Sequence, residues 1–427
     1  MKLYESYRDS GIEWLGQIPS HWEIIHFKRM HSGTNVGESI DKLYWTDEED
    51  DLLFYTAGVK PIHTCYPYFP KEKLTKKEDL LLSRNGTPYV YLPFPKAAYT
   101  DHVIRVSILP DINKRYIYYA LTISINNEVV DTVSLPTWSA SIWNSQKLPV
   151  PPLSEQTQIV EYLDTNCGDI DKKIAVLEKE QKAYERLKVA VINRAVTEGL
   201  DPDTPKRDSG IDWLGMIPEN WQVKRLKDFG YLYSGLTGKE GDDFRCDDES
   251  LTKPYVPFTN ILNNTRVSKD LLHRVVISAN EEQNKVLQGD LLFLMSSEDY
   301  DSIAKSSVVS EDIGEVYLNS FCRGFRPNTQ EMVSEFVNYQ LYATKYRDNL
   351  RFEARGFTRI NIKIDRINSM TITLPPYSEQ VEIVEYLDAK CADIDAKIAN
   401  VAKRIYAYKR LKKALINEVV TGKRKVV

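Results

Sequence analysis

The 427-residue chain has no apolar run long enough to cross a membrane as a helix, so no membrane partner is expected. Its start, Met1-Lys2-Leu3-Tyr4-Glu5-Ser6-Tyr7-Arg8, lacks the apolar region of a signal peptide, and a cytoplasmic protein is expected. Cysteine is scarce: five residues, odd in number and scattered, which excludes a disulfide framework and fits reduced thiols. No cysteine pair has metal-ligand spacing, nor do His21, His26, His31, His63, His102 and His273, so no metal is expected. A phosphate-binding loop is missing, because Gly235-Leu236-Thr237-Gly238-Lys239-Glu240 is too short and has no Ser or Thr after the lysine. The Asn- or Asp-Pro-Pro-aromatic motif that holds a flipped base's amino group is absent as well. Leu374-Pro375-Pro376-Tyr377 and Val150-Pro151-Pro152-Leu153 carry an aliphatic residue where the acceptor belongs. No acid-x-Lys nuclease pattern follows Pro110-Asp111 or Pro202-Asp203. These gaps argue against a self-contained methyltransferase, nucleotide hydrolase or nuclease, and neither catalytic residues nor a cofactor are expected on the chain. Positive charge is not in excess either. A net charge of −5 and a pI of about 5.9 argue mildly against nucleic-acid binding, unless local clusters or a partner subunit supply the charge.

What is present is an internal repeat. Pro151-Pro152-Leu153-Ser154-Glu155-Gln156, followed by Ile159-Val160-Glu161-Tyr162-Leu163-Asp164, recurs as Pro375-Pro376-Tyr377-Ser378-Glu379-Gln380, followed by Ile383-Val384-Glu385-Tyr386-Leu387-Asp388. The offset is 224 residues (375 less 151), and most positions stay identical without a gap through Val196-Thr197 and Val420-Thr421. Each copy reads as a helix. Pro-Pro ends the preceding segment, and Ser154 is placed as the N-cap. Apolar residues then recur in alternating steps of four and three: Ile170, Ile174, Leu177, Tyr184 and Val191 in one copy, Ile394, Ile398, Val401, Ile405, Tyr408 and Leu415 in the other. That is a heptad seam interrupted by Gln181, Lys188 and Lys412. No Gly or Pro lies between Gly168 and Gly199 or between Pro376 and Gly422. Helices of about 44 residues, roughly 65 Å at 1.5 Å per residue, are predicted.

Charge along the helices indicates how they pair. The first copy opens with Glu155, Glu161, Asp164, Asp169 and Asp171 and continues with Lys172, Lys173, Lys179, Lys182, Arg186, Lys188 and Arg194. The second ends in Lys403, Arg404, Lys409, Arg410, Lys412, Lys413 and Lys423-Arg424-Lys425. Each pattern suits its own helix dipole, and antiparallel pairing sets acidic half against basic half. An antiparallel coiled coil within one chain is expected; the alternative is a lone amphipathic helix on each domain.

A second repeat frames the first. Arg8-Asp9-Ser10-Gly11-Ile12-Glu13-Trp14-Leu15-Gly16-Gln17-Ile18-Pro19-Ser20-His21-Trp22 returns as Arg207-Asp208-Ser209-Gly210-Ile211-Asp212-Trp213-Leu214-Gly215-Met216-Ile217-Pro218-Glu219-Asn220-Trp221, 199 residues on (207 less 8). The chain is therefore globular, helix, globular, helix, with boundaries at 1–150, 151–199, 200–374 and 375–427. The N-terminal segment is expected near the end of the second helix, in a closed, pseudo-twofold arrangement. Strands are predicted at Leu52–Tyr55, Asp79–Leu82 and His102–Val106, with a helix at Tyr116–Ile125. In the second region, strands are predicted at Tyr255–Phe258, Gly289–Phe293 and Phe321–Phe325, with a helix over about 333–347. The fold class is α+β: two mixed α/β domains separated by two long antiparallel helices.

Recognition chemistry is richer than catalytic chemistry. Ser83-Arg84-Asn85-Gly86-Thr87 follows an apolar strand and precedes Tyr89 and Tyr91. It offers a guanidinium fork for guanine, an amide for adenine and a small hydroxyl for phosphate, although an Asn-Gly hairpin turn explains the same residues. The matching loop is read as Met295-Ser296-Ser297-Glu298-Asp299, more acidic and quite different. Arg355-Gly356-Phe357-Thr358-Arg359-Ile360-Asn361 brings two arginines and an amide, with Thr137-Trp138-Ser139-Ala140-Ser141 taken as its uncharged counterpart. Solvated loops are the plain alternative. With Arg323, these residues are the candidate DNA contacts, and two different loop sets on one fold imply two different half-sites. The helix tyrosines Tyr162 and Tyr386 are candidates for partner binding, or for packing on the neighbouring domain.

The repeated Ser-Gly-Ile-acid-Trp-Leu-Gly-x-Ile-Pro-x-x-Trp segment and both Pro-Pro-x-Ser-Glu-Gln helices resemble the specificity subunits of type I restriction–modification systems over nearly the whole chain. The resemblance implies two target-recognition domains held apart by a helical spacer, each reading one half of a bipartite double-stranded DNA target. It also implies two modification (methyltransferase) subunits carrying S-adenosylmethionine, and restriction subunits carrying ATP- and Mg²⁺-dependent translocation and cleavage. No base contacts carry over from it. A specificity subunit of a methylation-only complex, a single-chain DNA enzyme and a coiled-coil scaffold without DNA specificity are the competing readings.

Overall fold

The computed structural model describes residues 3–125, 136–246, 248, 250–278 and 280–426. It divides into two units, one of residues 1–178 with 402–427 and one of residues 179–401. Eight α-helices occur among the described residues: α1 (Lys114–Ile125), α2 (Ala140–Ser145), α3 (Leu153–Glu198), α4 (Phe258–Asn263), α5 (Ser334–Tyr342), α6 (Thr344–Glu353), α7 (Ile364–Asn368) and α8 (Tyr377–Val420). None is long and apolar enough to cross a membrane.

The long helices α3 and α8 begin two residues earlier than a serine cap predicts. Leu153 and Tyr377 are already helical, and the Pro152 and Pro376 carbonyls accept the N–H groups of Gln156 and Gln380 at 2.9 and 3.1 Å. The second proline of each pair thus takes the cap position, where its missing N–H costs nothing, and the serine falls inside the first turn. In the first unit the seam buries Ile170, Ile174 and Leu177 of α3 and Ile405 and Leu415 of α8. In the second unit it buries Ile394 and Val401 of α8 and leaves Tyr184 and Val191 of α3 half-buried. The polar interruptions meet acids on the other helix: Lys412 Nζ lies 2.6 Å from Asp171, and Lys188 Nζ lies 2.7 Å from Asp395.

The two units share a plan. In the first, one sheet runs His31–Val36, Val103–Ile108, Asp79–Ser83, Val90–Tyr91, all neighbours antiparallel. The second unit repeats it as Gly230–Ser234, Cys322–Pro327, Leu291–Leu294, Ser306–Val308. A second sheet in each contains one parallel pair, Leu52–Tyr55 with Ala98–Tyr99 at the edge in the first unit and Thr252–Val256 with Val316–Leu318 at the centre in the second. Its fourth strand differs: Trp45–Thr46 joins through Ile62–Thr64, whereas Lys285–Val286 pairs directly with Val316–Leu318. Predicted strands and observed ones agree within a few residues, except that Phe258 opens α4. The helix predicted over 333–347 is two helices. Ala343 leaves helical geometry (φ −69°, ψ 144°), and Asn193 Oδ1 accepts the Thr344 N–H at 2.8 Å, capping α6.

The Trp segments sit at helix ends in both units. Gly199, at φ +78° after α3, faces the Trp221 ring in the second unit, where an added Cβ would stand 3.7 Å from it. In the first, Gly422 (φ +72°) follows α8, packs on Pro19 and Trp22, and accepts the Tyr7 hydroxyl at 3.2 Å. The left-handed conformation at both positions is the helix stop that glycine supplies.

Candidate nucleic-acid interface

The Glu-Gln of each repeated motif ties a long helix to its own unit. Glu155 accepts the buried Trp22 Nε1 at 3.2 Å, and Glu379 accepts Trp221 Nε1 at 2.9 Å. Gln156 Oε1 accepts the Asn113 N–H ahead of α1, and Gln380 Oε1 accepts the Val333 N–H ahead of α5, both at 2.9 Å. Two turns further, Asp164 takes Arg115 (2.6 Å) and the Tyr119 hydroxyl (2.8 Å), while Asp388 takes Arg266 (2.8 Å) and the Tyr339 hydroxyl (2.7 Å). Each long helix is therefore tied through charged and amide bonds to the Trp segment and to the short helix of its unit, α1 in the first and α5 in the second.

In the first unit the candidate loop connects the antiparallel strands Asp79–Ser83 and Val90–Tyr91, so the hairpin-turn reading and the recognition reading describe the same turn. Ser83 is fully buried, and its hydroxyl donates to Thr87 O (3.2 Å) and accepts from Tyr89 N (2.8 Å). Trp138 is buried too, with Nε1 on Gly86 O at 2.7 Å. Ser139 caps α2 by accepting the Ile142 N–H at 3.3 Å. Ser83 and Trp138 thus spend these polar atoms holding the turn from behind, and the half-buried Ser139 spends its hydroxyl on the cap of α2. Arg84 is half-buried, with Nη1 on Asp101 O at 2.8 Å, and Asn85 Nδ2 lies 2.8 Å from His102 Nδ1. Thr87 is exposed and Tyr89 half-buried, its ring 6.0 Å from Tyr91.

In the second unit Ser296–Ser297 form a short ladder with Ile360–Asn361, and both serines are buried. Ser296 Oγ accepts Arg359 Nε at 2.9 Å, and the Arg359 guanidinium stacks 4.9 Å from the Phe321 ring. Arg355 and Asn361 exchange both backbone hydrogen bonds at 2.9 Å and close a loop of exposed residues. Phe357 and Thr358 stand at its tip. Arg323 is half-buried, on its neighbour's carbonyl (Cys322 O, 3.0 Å).

The ladder also corrects which segments correspond. Asn85 bridges Thr137 as Ser296 pairs with Asn361, and Trp138 N donates to Arg84 O as Ile362 N donates to Met295 O. Thr137 is thus the equivalent of Asn361, so 137–141 is not the counterpart of the 355–359 loop, and the residues ahead of Pro136, 126–135, lie outside the described residues. Sequence similarity is too weak there to fix the register, and the backbone pairing fixes it.

Tyr162 is half-buried, with Arg424 Nη1 3.4 Å from its hydroxyl, while Tyr386 is exposed with Lys390 Nζ 5.9 Å from its ring. Sequence reasoning missed the buried carboxylates. Asp290 binds Arg326 through both oxygens (3.0 and 2.7 Å) and the Tyr233 hydroxyl (2.6 Å); Asp79 lies 3.7 Å from Arg105. Hydrogen bonding to Asp290 raises Arg326, and burial raises Tyr233. The shared acid before the apolar runs Asp79-Leu80-Leu81-Leu82 and Asp290-Leu291-Leu292-Phe293 was the available signal. Among the described residues no three His, Cys, Asp or Glu side chains gather as a metal site.

Comparison with known proteins agrees with this geometry. The model of the type I restriction modification DNA specificity domain matches residues 55–183 and 218–404. The EcoBI specificity subunit of Escherichia coli is 26% identical over 369 residues, covering 82% of this chain and 73% of that relative. The MjaVIII specificity subunit of Methanocaldococcus jannaschii is 23% identical over 435 residues, covering 94% and 96%. A solved chain from work on complex assembly and conformational transition of the type I R-M system shares the fold. It has a TM-score of 0.62 at 15% identity, covering 94% of this chain and 98% of that one. With both units matched by the same family model, the chain belongs to the type I restriction–modification DNA specificity subunit family.

Proposed function

We propose that the chain is the sequence-reading subunit of a cytoplasmic type I complex, with one unit for each half of a split, asymmetric double-stranded DNA target. The observation that carries this is one strand plan presented twice with different loops. Arg84-Asn85-Gly86-Thr87 stands in one unit where Met295-Ser296-Ser297-Glu298 stands in the other. Direct readout needs donors and acceptors at base edges, so different side chains on one frame select different bases. The long helices act as the spacer, and their length fixes the gap between half-sites. The finer reading, an antiparallel coiled coil in a pseudo-twofold internal repeat, is supported by the repeated motifs and by the cross-helix pairs Lys412–Asp171 and Lys188–Asp395 within each unit.

The chain does no chemistry itself in this reading. Two modification subunits bring S-adenosylmethionine, restriction subunits bring ATP and Mg²⁺, and the outer helix faces with Tyr162 and Tyr386 contribute to docking them. Modified-base sequencing of the host genome with and without the gene tests the proposal. A bipartite motif whose adenine methylation disappears on deletion is expected. Deleting one heptad from both helices should shorten the permitted gap or abolish binding; an unchanged gap removes the spacer role.

A further inference from the structure

Phe357 is 98% exposed, yet the loop that carries it is firmly built. Gly356, at φ +147°, makes a close approach to the Arg359 carbonyl that a Cβ would block. Its own carbonyl accepts the Tyr300 hydroxyl at 3.0 Å. At the base, Arg355 and Asn361 exchange backbone bonds, and Arg359 is held between Ser296 and the Phe321 ring. A fold gains nothing from a fully hydrated phenyl ring, so a rigid strut that keeps one in water points to an external partner.

Charge around the tip selects the partner. Arg355 and Arg359 flank the ring in sequence; Asp301 and Glu353 are engaged by Arg351 (2.8 Å) and Arg366 (3.1 Å), and Glu298 and Asp299 stand exposed just beyond the Ser297–Ile360 pair. An apolar tip between two guanidinium groups fits a base step lined by phosphates. Resting on the DNA-reading function above, we propose that Phe357 inserts as a wedge into one base step of the half-site read by the second unit. The ring replaces the lost base–base stacking, while the flanking arginines take the adjacent phosphates. Steps that unstack easily, pyrimidine–purine steps above all, are then favoured without any hydrogen bond to their edges. The whole stretch of the first unit between α1 and Pro136, residues 126–135, has no aromatic residue in its sequence, so the distortion belongs to one half-site alone.

The test uses the full-length chain, free and co-purified with its modification subunits, on target duplexes with 2-aminopurine placed at each position in turn. Wild-type protein should raise the fluorescence at one step of the second half-site and at none of the first. Phe357→Ala should abolish that rise and weaken specific binding by roughly tenfold to a hundredfold, with Phe357→Leu in between. Specific binding without any rise overturns the wedge and leaves DNA reading intact, as does a Phe357→Ala chain with unchanged affinity and fluorescence. A variant that binds DNA normally but loses its partner subunits makes the ring a protein contact instead. Wild-type protein without sequence-specific binding removes the recognition reading itself, and the wedge with it.

Discussion

Trp221 Nε1 donates to Glu379 Oε1 at 2.9 Å, joining the end of the second Trp segment to the first turn of α8. Trp221 is buried, so removing the acceptor leaves an indole N–H without a partner. Glu379→Ala is expected to cost about 1–3 kcal/mol, the desolvation penalty of an unpaired buried donor, and Glu379→Gln clearly less because an acceptor remains. Urea denaturation followed by tryptophan fluorescence measures both. An alanine variant as stable as wild type would show that the bond contributes nothing.

The repeated motifs were legible because identical residues at a constant offset need no structural knowledge to see. Their role was not. Glu155 and Gln156 look like ordinary first-turn residues, and only the fold brings Trp22 and the Asn113 amide to them. The same limit explains the displaced register of the 355–359 loop, where long-range ladder bonds decide what short-range similarity cannot. The long helices were read to within a residue or two, since heptad periodicity is local. The break at Ala343 was missed because its cap, Asn193, comes from another helix.

Asn85 is the residue of the first loop whose amide lies closest to a recognition role, with Nδ2 on His102 and an exposed approach. Asn85→Ala is expected to relax specificity at one base pair of the first half-site, at about 1–3 kcal/mol of discrimination, and to leave the second half-site unchanged. Methylome sequencing of a strain carrying the variant reads both halves at once. Relaxation in the second half, or in neither, would remove Asn85 from the recognition set.

Alkali should unfold the protein through its buried phenols. Burial pushes Tyr99, Tyr342 and Tyr346 up to about 12. In the unfolded chain a tyrosine ionises near about 10. Between those values the unfolded state releases protons that the folded state retains. Stability is therefore unaffected by these groups below about pH 10 and falls as pH rises through about 12. Absorbance at 295 nm and circular dichroism recorded together should show phenolate appearing in step with loss of structure above pH 10. Complete ionisation at pH 11 with intact structure would contradict the burial argument.

Gly37 and Gly235 occupy the same place in the two units, and neither stands out in the sequence. A Cβ on Gly37 would collide with the Tyr99 and Thr100 carbonyls, and one on Gly235 with those of Asn319 and Leu318. Immediately beyond, Glu38 N donates to Tyr99 O at 3.0 Å and Leu236 N to Leu318 O at 2.7 Å. The glycine thus lets one sheet's edge strand cross onto the end of the other sheet's parallel pair. Neither residue has a positive φ, so the requirement is space and not conformation. Gly37→Ala and Gly235→Ala should each cost about 2 kcal/mol or more, because backbone carbonyls cannot yield as a side chain would. Gly168 provides the contrast. It lies within α3 with nothing near its would-be Cβ, and alanine already stands at the equivalent Ala392 of α8. Gly168→Ala should stabilise by about 0.5–1 kcal/mol through helix propensity. Midpoints in urea for the three variants decide the matter. Opposite signs support the crossing, whereas a small or absent loss at both strand glycines would mean that the strands separate freely there.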